Sequence, residues 1–187
     1  IVSAIVTQAL QADYWKPVQA GELQHSDTHK VQELVSNTKT KFHASAFNLQ
    51  TPMSPHAAAK IDGVSLSLKK IQRPKTQNNL VIEGAGGLLV PLNDTQTITD
   101  LIHPLDKVIV VSRHYLGSIN HTLLTIEALK SRGIPIFGII FNGEKHPSTE
   151  IIIAKMSGVS ILGRIDQEPY FDQNVVKQYA QDFKSKL

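Results

Sequence analysis

Unbroken runs of β-branched and aliphatic residues, each followed by a segment of helical spacing, constrain this chain more than any other feature. Residues 80–82, 107–111, 134–141 and 160–165 read as strands without polar alternation, the pattern of strands covered on both faces. Between them, Ser118 is expected to cap a helix that carries Ile119, Leu123, Ile126 and Leu129 on one face and ends at Gly133. Further helices are expected over 149–156 and over 172–186, the latter with Val175, Val176 and Tyr179 toward the core. The N-terminal half follows the same rule. A helix over 1–10 repeats Ile1, Ile5, Val6, Ala9 and Leu10, and a strand over 13–18 ends Lys16-Pro17-Val18. Ser26 and Asp27 then open a helix with Val31, Leu34 and Val35 on one face. Residues 38–50 read as loop with a short strand, Ser54-Pro55 starts another helix, 65–71 continues helically, and 97–102 forms a short helix. The alternation predicts an α/β fold with a mostly parallel sheet and helices on both faces.

Composition narrows the function classes. The chain has 187 residues, 41% hydrophobic and 19% charged, a size and apolar content that suit one globular domain over 1–187 and give no block long enough for a membrane span. It has no cysteine, which excludes disulfides, Cys-ligated metals and a thiol nucleophile and fits the cytoplasm. The net charge of +3 is dispersed. The loose basic clusters, Lys39/Lys41 and Lys69/Lys70/Arg73/Lys75, lack interleaved aromatics, so they read as solvated faces and not as a nucleic-acid platform.

In parallel sheets, ligands bind outside the carboxyl ends of the strands. Residues 80–87 deliver Glu83 at such an end, immediately before Gly84, Ala85, Gly86 and Gly87. A carboxylate beside side-chain-free amides suits Mg²⁺ and phosphate oxygens, and the same residues also suit a tight strand-to-loop turn. Lys16 could stabilise charge on a transferring phosphoryl group, or be a lone surface lysine. Asp27 suits a second metal carboxylate or a helix cap, and Ser54 an anion-binding helix start or a plain cap. Gly117, Ser118 and Asn120 form a turn able to receive a carboxylate. Asn142, before Gly143, could read a base edge through its carboxamide or simply form an Asn-Gly turn.

Together these segments resemble the dethiobiotin synthetases. The matching stretches are Trp15-Lys16-Pro17-Val18-Gln19-Ala20-Gly21, Ser26-Asp27, Ser54-Pro55-His56, Val81-Ile82-Glu83-Gly84-Ala85-Gly86-Gly87 with Pro91-Leu92, Tyr115-Leu116-Gly117-Ser118-Ile119-Asn120-His121, and Phe141-Asn142. The resemblance implies a P-loop NTPase-like fold, MgATP as nucleotide, and conversion of 7,8-diaminononanoate and CO₂ to dethiobiotin in a cytoplasmic homodimer. Lys16 resembles the family's active-site lysine, between carbamate and phosphate. Asp27 and Glu83 resemble its Mg²⁺-binding acids, Gly84, Ala85 and Gly86 its nucleotide-contacting turn, and Asn142 with Gly143 its adenine pocket. Ser54, Gly117, Ser118 and Asn120 resemble its substrate-holding residues, the last three reaching across the dimer.

Departures from the family pattern accompany the match. Family members begin with a strand and a Gly-rich loop ending Gly-Lys-Thr, which residues 1–187 do not contain, while residues 1–5 look like the helix that follows it. The sequence therefore reads as N-terminally incomplete. A hydroxyl residue common in the family is replaced by Ala20, and Gly163-Arg164-Ile165-Asp166 stands where many members have Ile-Pro. Two other readings go with this one: a catalytically silent substrate-binding homologue, and another ATP-dependent ligase or ATPase of the same superfamily.

Overall fold

The structure, a computed structural model, describes all residues 1–187. The elements in chain order are α1 (Val2–Leu10), β1 (Asp13–Trp15), β2 (Val18–Ala20), α2 (Asp27–Leu34), β3 (Phe42–His43), β4 (Phe47–Leu49), α3 (Pro55–Ile61) and β5 (Leu80–Ile82). They continue with β6 (Val108–Arg113), α4 (Ser118–Lys130), β7 (Ile136–Asn142), α5 (Pro147–Ser157), β8 (Ile161–Ile165) and α6 (Gln173–Phe183). Every strand pairing is parallel, as the apolar runs require. The fold is α/β, with parallel sheets and six helices. No helix is long and apolar enough to cross a membrane.

The chain forms two compact units. One comprises Ile1, Ser3–His103 and Phe171–Lys184; the other comprises Val2, Pro104–Tyr170 and Ser185–Leu187. In the first, β3-β1-β5 form one sheet and β2-β4 a second. The strand expected over 13–18 is thus two strands, because Pro17 has no N–H to continue the ladder. Its carbonyl instead accepts from the Ala46 and Phe47 N–H groups at 2.9 and 3.1 Å, which starts the β2–β4 pairing. Lys16 lies in the break. Trp15, Val18, Leu49, Ala58, Leu92 and Ile98 form much of the buried cluster. The strand over 80–82 forms as expected but is only half-buried, since β5 pairs with β1 on one edge alone.

One helix reading needs correction in this unit. Residues 65–71 hold only a 3-10 turn at Leu68–Lys70, because Gly63 at φ +68° ends α3 in a left-handed turn. The short helix expected over 97–102 forms as a 3-10 helix, Ile98–Leu101, closed by Thr97 and Asp100 as a reciprocal cap. Ser26 caps α2 as predicted, accepting from the His29 N–H at 3.3 Å. At the end of β2, Gly21 has φ +71°, and a Cβ there would lie 2.7 Å from the Pro52 Cα. Only glycine fits this close approach.

In the second unit, β6-β7-β8 form a parallel sheet in sequence order. Ile139, Ile140 and Phe141 are fully buried along β7. Gly117, at φ +100°, and not Ser118, is the N-cap of α4; Ser118 is the first helical residue and is buried.

Candidate active site

Lys16, Asp27, Glu83 and Gly84 meet in the first unit. Parallel pairing of Trp15 with Ile82 brings the ends of β1 and β5 level, so the residues just beyond them, Lys16 and Glu83, emerge side by side. The Lys16 side chain is only 6% exposed. Its Nζ lies 2.6 Å from Asp27 Oδ2 and 3.3 Å from Glu83 Oε1, and donates to the Gly84 carbonyl at 3.2 Å. A buried ammonium is tolerated because opposite charges and an acceptor surround it. The surface-lysine reading of Lys16 does not hold.

The supporting residues were not visible in the sequence. Tyr14, fully buried on β1 two residues before Lys16, donates its hydroxyl to Glu83 Oε2 at 3.0 Å. Burial, the Glu83 charge and this hydrogen bond push the Tyr14 phenol well above its ordinary range, so it remains a donor. The i, i+2 alternation of a strand was the available signal, since it puts Tyr14 and Lys16 on one side. Gln19 is buried on β2, accepts from the Asp27 N–H at 3.2 Å and donates to the Gly21 carbonyl at 3.0 Å. It ties the start of α2 to the site, and no local pattern announces it.

The oxygens of Asp27 and Glu83 share one ammonium, so the two carboxylates lie close enough to serve one cation. Hard carboxylate oxygens match Mg²⁺, which keeps most of its coordination for water and phosphate. After Glu83 the chain turns sharply. Gly86 has φ +78°, and a Cβ would lie 3.0 Å from Val90 Cγ2, while at Gly84 it would lie 3.1 Å from Ile98 Cγ2. Ala85 is half-buried against the apolar cluster and anchors this turn.

The remaining predicted residues take separate positions. Ser54 is the N-cap residue of α3, but its hydroxyl pairs with His56 Nδ1 at 3.2 Å and caps no backbone amide. In the second unit, Gly117 caps the start of α4 without a side-chain hydrogen bond, and the Ser118 N–H donates to the Tyr115 carbonyl at 3.0 Å. Asn120 is exposed on that first turn. Asn142 ends β7 half-buried, with its carbonyl accepting from the His114 N–H at 3.0 Å, and Gly143 at φ +114° donates to the Ile165 carbonyl. In the same unit Glu150 takes His114 Nε2 at 3.2 Å and Arg164 Nη1 at 3.1 Å. Burial opposes its ionisation, but these partners and the His146 N–H hold its carboxyl below the usual range.

Residues 1–175 match a family model described as an AAA domain. The ATP-dependent dethiobiotin synthetase BioD of Christiangramia forsetii is 63% identical over 187 residues, covering 100% of this chain and 90% of that protein. The protein of the same name from Cytophaga hutchinsonii is 50% identical over 182 residues, 96% of this chain and 88% of that one. That of Rhodopseudomonas palustris is 45% identical over 166 residues, 88% and 78% respectively.

Proposed function

The chain belongs to the family of ATP-dependent dethiobiotin synthetases, and on that premise we propose that it closes the ureido ring of dethiobiotin on 7,8-diaminononanoate and CO₂ at the expense of ATP. The observation that carries the reading is the buried Lys16 ammonium between two carboxylates at the carboxyl end of β1. One substrate amine adds to CO₂ and loses a proton to give a carbamate. A carbamate oxygen then attacks the γ-phosphorus and ADP leaves. The second amine attacks the carbonyl carbon of this mixed anhydride, and phosphate departs with the ring closed.

Lys16 acts where charge accumulates, between the carbamate oxygen and the transferring phosphoryl group. Its two carboxylate partners hold the ammonium in place before substrate arrives, so little reorganisation is needed at the reacting centre. Asp27 and Glu83 would hold Mg²⁺, which supplies charge neutralisation along the phosphates. Gly84, Ala85 and Gly86 turn backbone amides toward phosphate oxygens, with no Cβ at either glycine to block approach. Asn142 presents a carboxamide that both donates and accepts, suited to the adenine edge, and Gly143 leaves room beside it. Ser54 holds substrate, and Gly117, Ser118 and Asn120 receive its carboxylate from the partner subunit of a homodimer. The setting is the cytoplasm, which the cysteine-free sequence suits.

Lys16→Ala tests the reading directly. Turnover of dethiobiotin should fall by on the order of 10²-fold or more in kcat with the melting transition retained. Wild-type turnover in this variant removes Lys16 from the chemistry.

A further inference from the structure

At the opposite end of β1 from Lys16 the first unit carries a cleft of about 710 Å³, lined by Lys39, Lys41, Lys75, Gln77, Thr76 and Asn78 around Asp13 and His43. Lys39 and Lys41 stand on the turn before β3, and Lys75 on the segment before β5. In the sequence they fall in two separate basic clusters. Parallel pairing of β3 and β5 on either side of β1 brings the two lead-in segments together at the start of the sheet. All three lysines are exposed, and none of their ammonium groups has a hydrogen-bond or ion-pair partner.

The walls of the cleft are fixed by one buried carboxylate. Asp13 is 1% exposed. Its Oδ1 accepts from the Lys41 N–H and Asn78 Nδ2, both at 3.1 Å; its Oδ2 takes His43 Nε2 at 2.9 Å and the Thr76 hydroxyl at 2.7 Å. A carboxylate offers about four acceptor positions, so Asp13, the only acid lining the cleft, has none left for a ligand cation or donor. The turn that carries Lys39 and Lys41 is braced separately. Asn37 Oδ1 accepts from the Lys39 and Thr40 N–H groups, and Gln8 Oε1 from Ser36, Asn37 and the Asn37 side chain. Three unpaired cations are therefore held on a prebuilt frame, which reduces the ordering cost of binding.

We propose that this cleft is a second anion site, which binds a small molecule carrying two or more phosphate groups through Lys39, Lys41 and Lys75. Three ammonium groups match a multiply charged anion, and clefts lined by one sign of charge concentrate the opposite one. Apart from Pro74 and the His43 ring the lining is polar, so recognition is of the phosphates and not of a base or an alkyl chain.

The test is calorimetric titration of the full chain carrying Lys16→Ala, which removes the phosphate-facing cation of the active site. Pyrophosphate should bind saturably. Adding Lys39→Gln, Lys41→Gln and Lys75→Gln should weaken that binding by on the order of tenfold or more without lowering the melting temperature, since all three side chains are exposed. In the Lys16 background, comparable loss for ADP assigns the site to a nucleotide's phosphate tail, and loss for pyrophosphate alone assigns it to free polyphosphate; both support the proposal. Pyrophosphate binding unaltered by the three substitutions overturns it. So does the absence of saturable binding, or binding of a single-stranded oligonucleotide without pyrophosphate.

Discussion

The role proposed for Lys16 rests on what surrounds it, and Tyr14 is the least obvious of those neighbours. Removing the Tyr14 hydroxyl leaves Glu83 Oε2 without its protein donor while keeping the ring that fills the core. Tyr14→Phe should therefore cost about 1 kcal/mol of stability. It should raise the Mg²⁺ concentration for half-maximal rate several-fold, with kcat at saturating Mg²⁺ little changed; an unchanged Mg²⁺ titration would show that the bond does not position Glu83. Asp13 offers a second residue-scale outcome. Burial alone would raise its pKa, but hydrogen bonds from Thr76, His43, the Lys41 N–H and Asn78 hold it at about 2, below the 3.8 of a free aspartate. A lowered folded-state pKa adds stability that is complete above pH ~4 and is lost as pH falls toward 2. Asp13→Asn should thus lower stability at neutral pH and flatten the acid limb of a denaturation series between those values. An acid limb as steep as wild type would assign it to other carboxylates. The sequence marks Lys16, Asp27 and Glu83 by type and position, yet it cannot show Tyr14, Gln19 or Asp13 as partners, because each acts across 8 to 69 residues of chain.

Strand and helix boundaries follow backbone chemistry wherever that chemistry is local. Ser26, Ser54-Pro55 and Asp172 start their helices at the positions the sequence implies. Where a tertiary partner decides, the sequence misleads. Residues 13–18 look continuous, yet Pro17 divides them between two sheets and leaves Lys16 free to turn toward Asp27 and Glu83. Residues 42–43 and 47–49 become strands only because β1 and β2 offer them edges. Packing within the β7–β8 pair gives a sharper check. A Cβ at Gly138 would lie 2.5 Å from Leu162 Cγ, so Gly138→Ala should destabilise the chain by about 1–3 kcal/mol. Pairing it with Leu162→Ala should give a favourable coupling in a double-mutant cycle. Strict additivity would mean that the backbone and not the side chain absorbs the clash.

On the scale of the whole molecule, the segment proposed to hold the substrate carboxylate is also conspicuously apolar at its surface. Leu116 is fully exposed, and Tyr115 and Ile119 are 53% and 37% exposed. This is the surface through which the proposed homodimer would associate. Leu116→Asp should shift the sedimenting species from twice the chain mass of 20.6 kDa to that mass itself and raise KM for diaminononanoate. An unchanged mass would move the dimer interface elsewhere. By itself, the sequence determined the α/β class, the parallel pairing, most helix starts and the residue types of the site, because unbroken apolar runs, caps and glycine turns are written in adjacent residues. Only the tertiary structure decided that Lys16 is buried between two carboxylates, that Tyr14 and Gln19 brace them, and that lysines from two distant clusters share one cleft. Those facts arise from strand pairing, which joins residues far apart in the chain, and no local pattern specifies which edges meet.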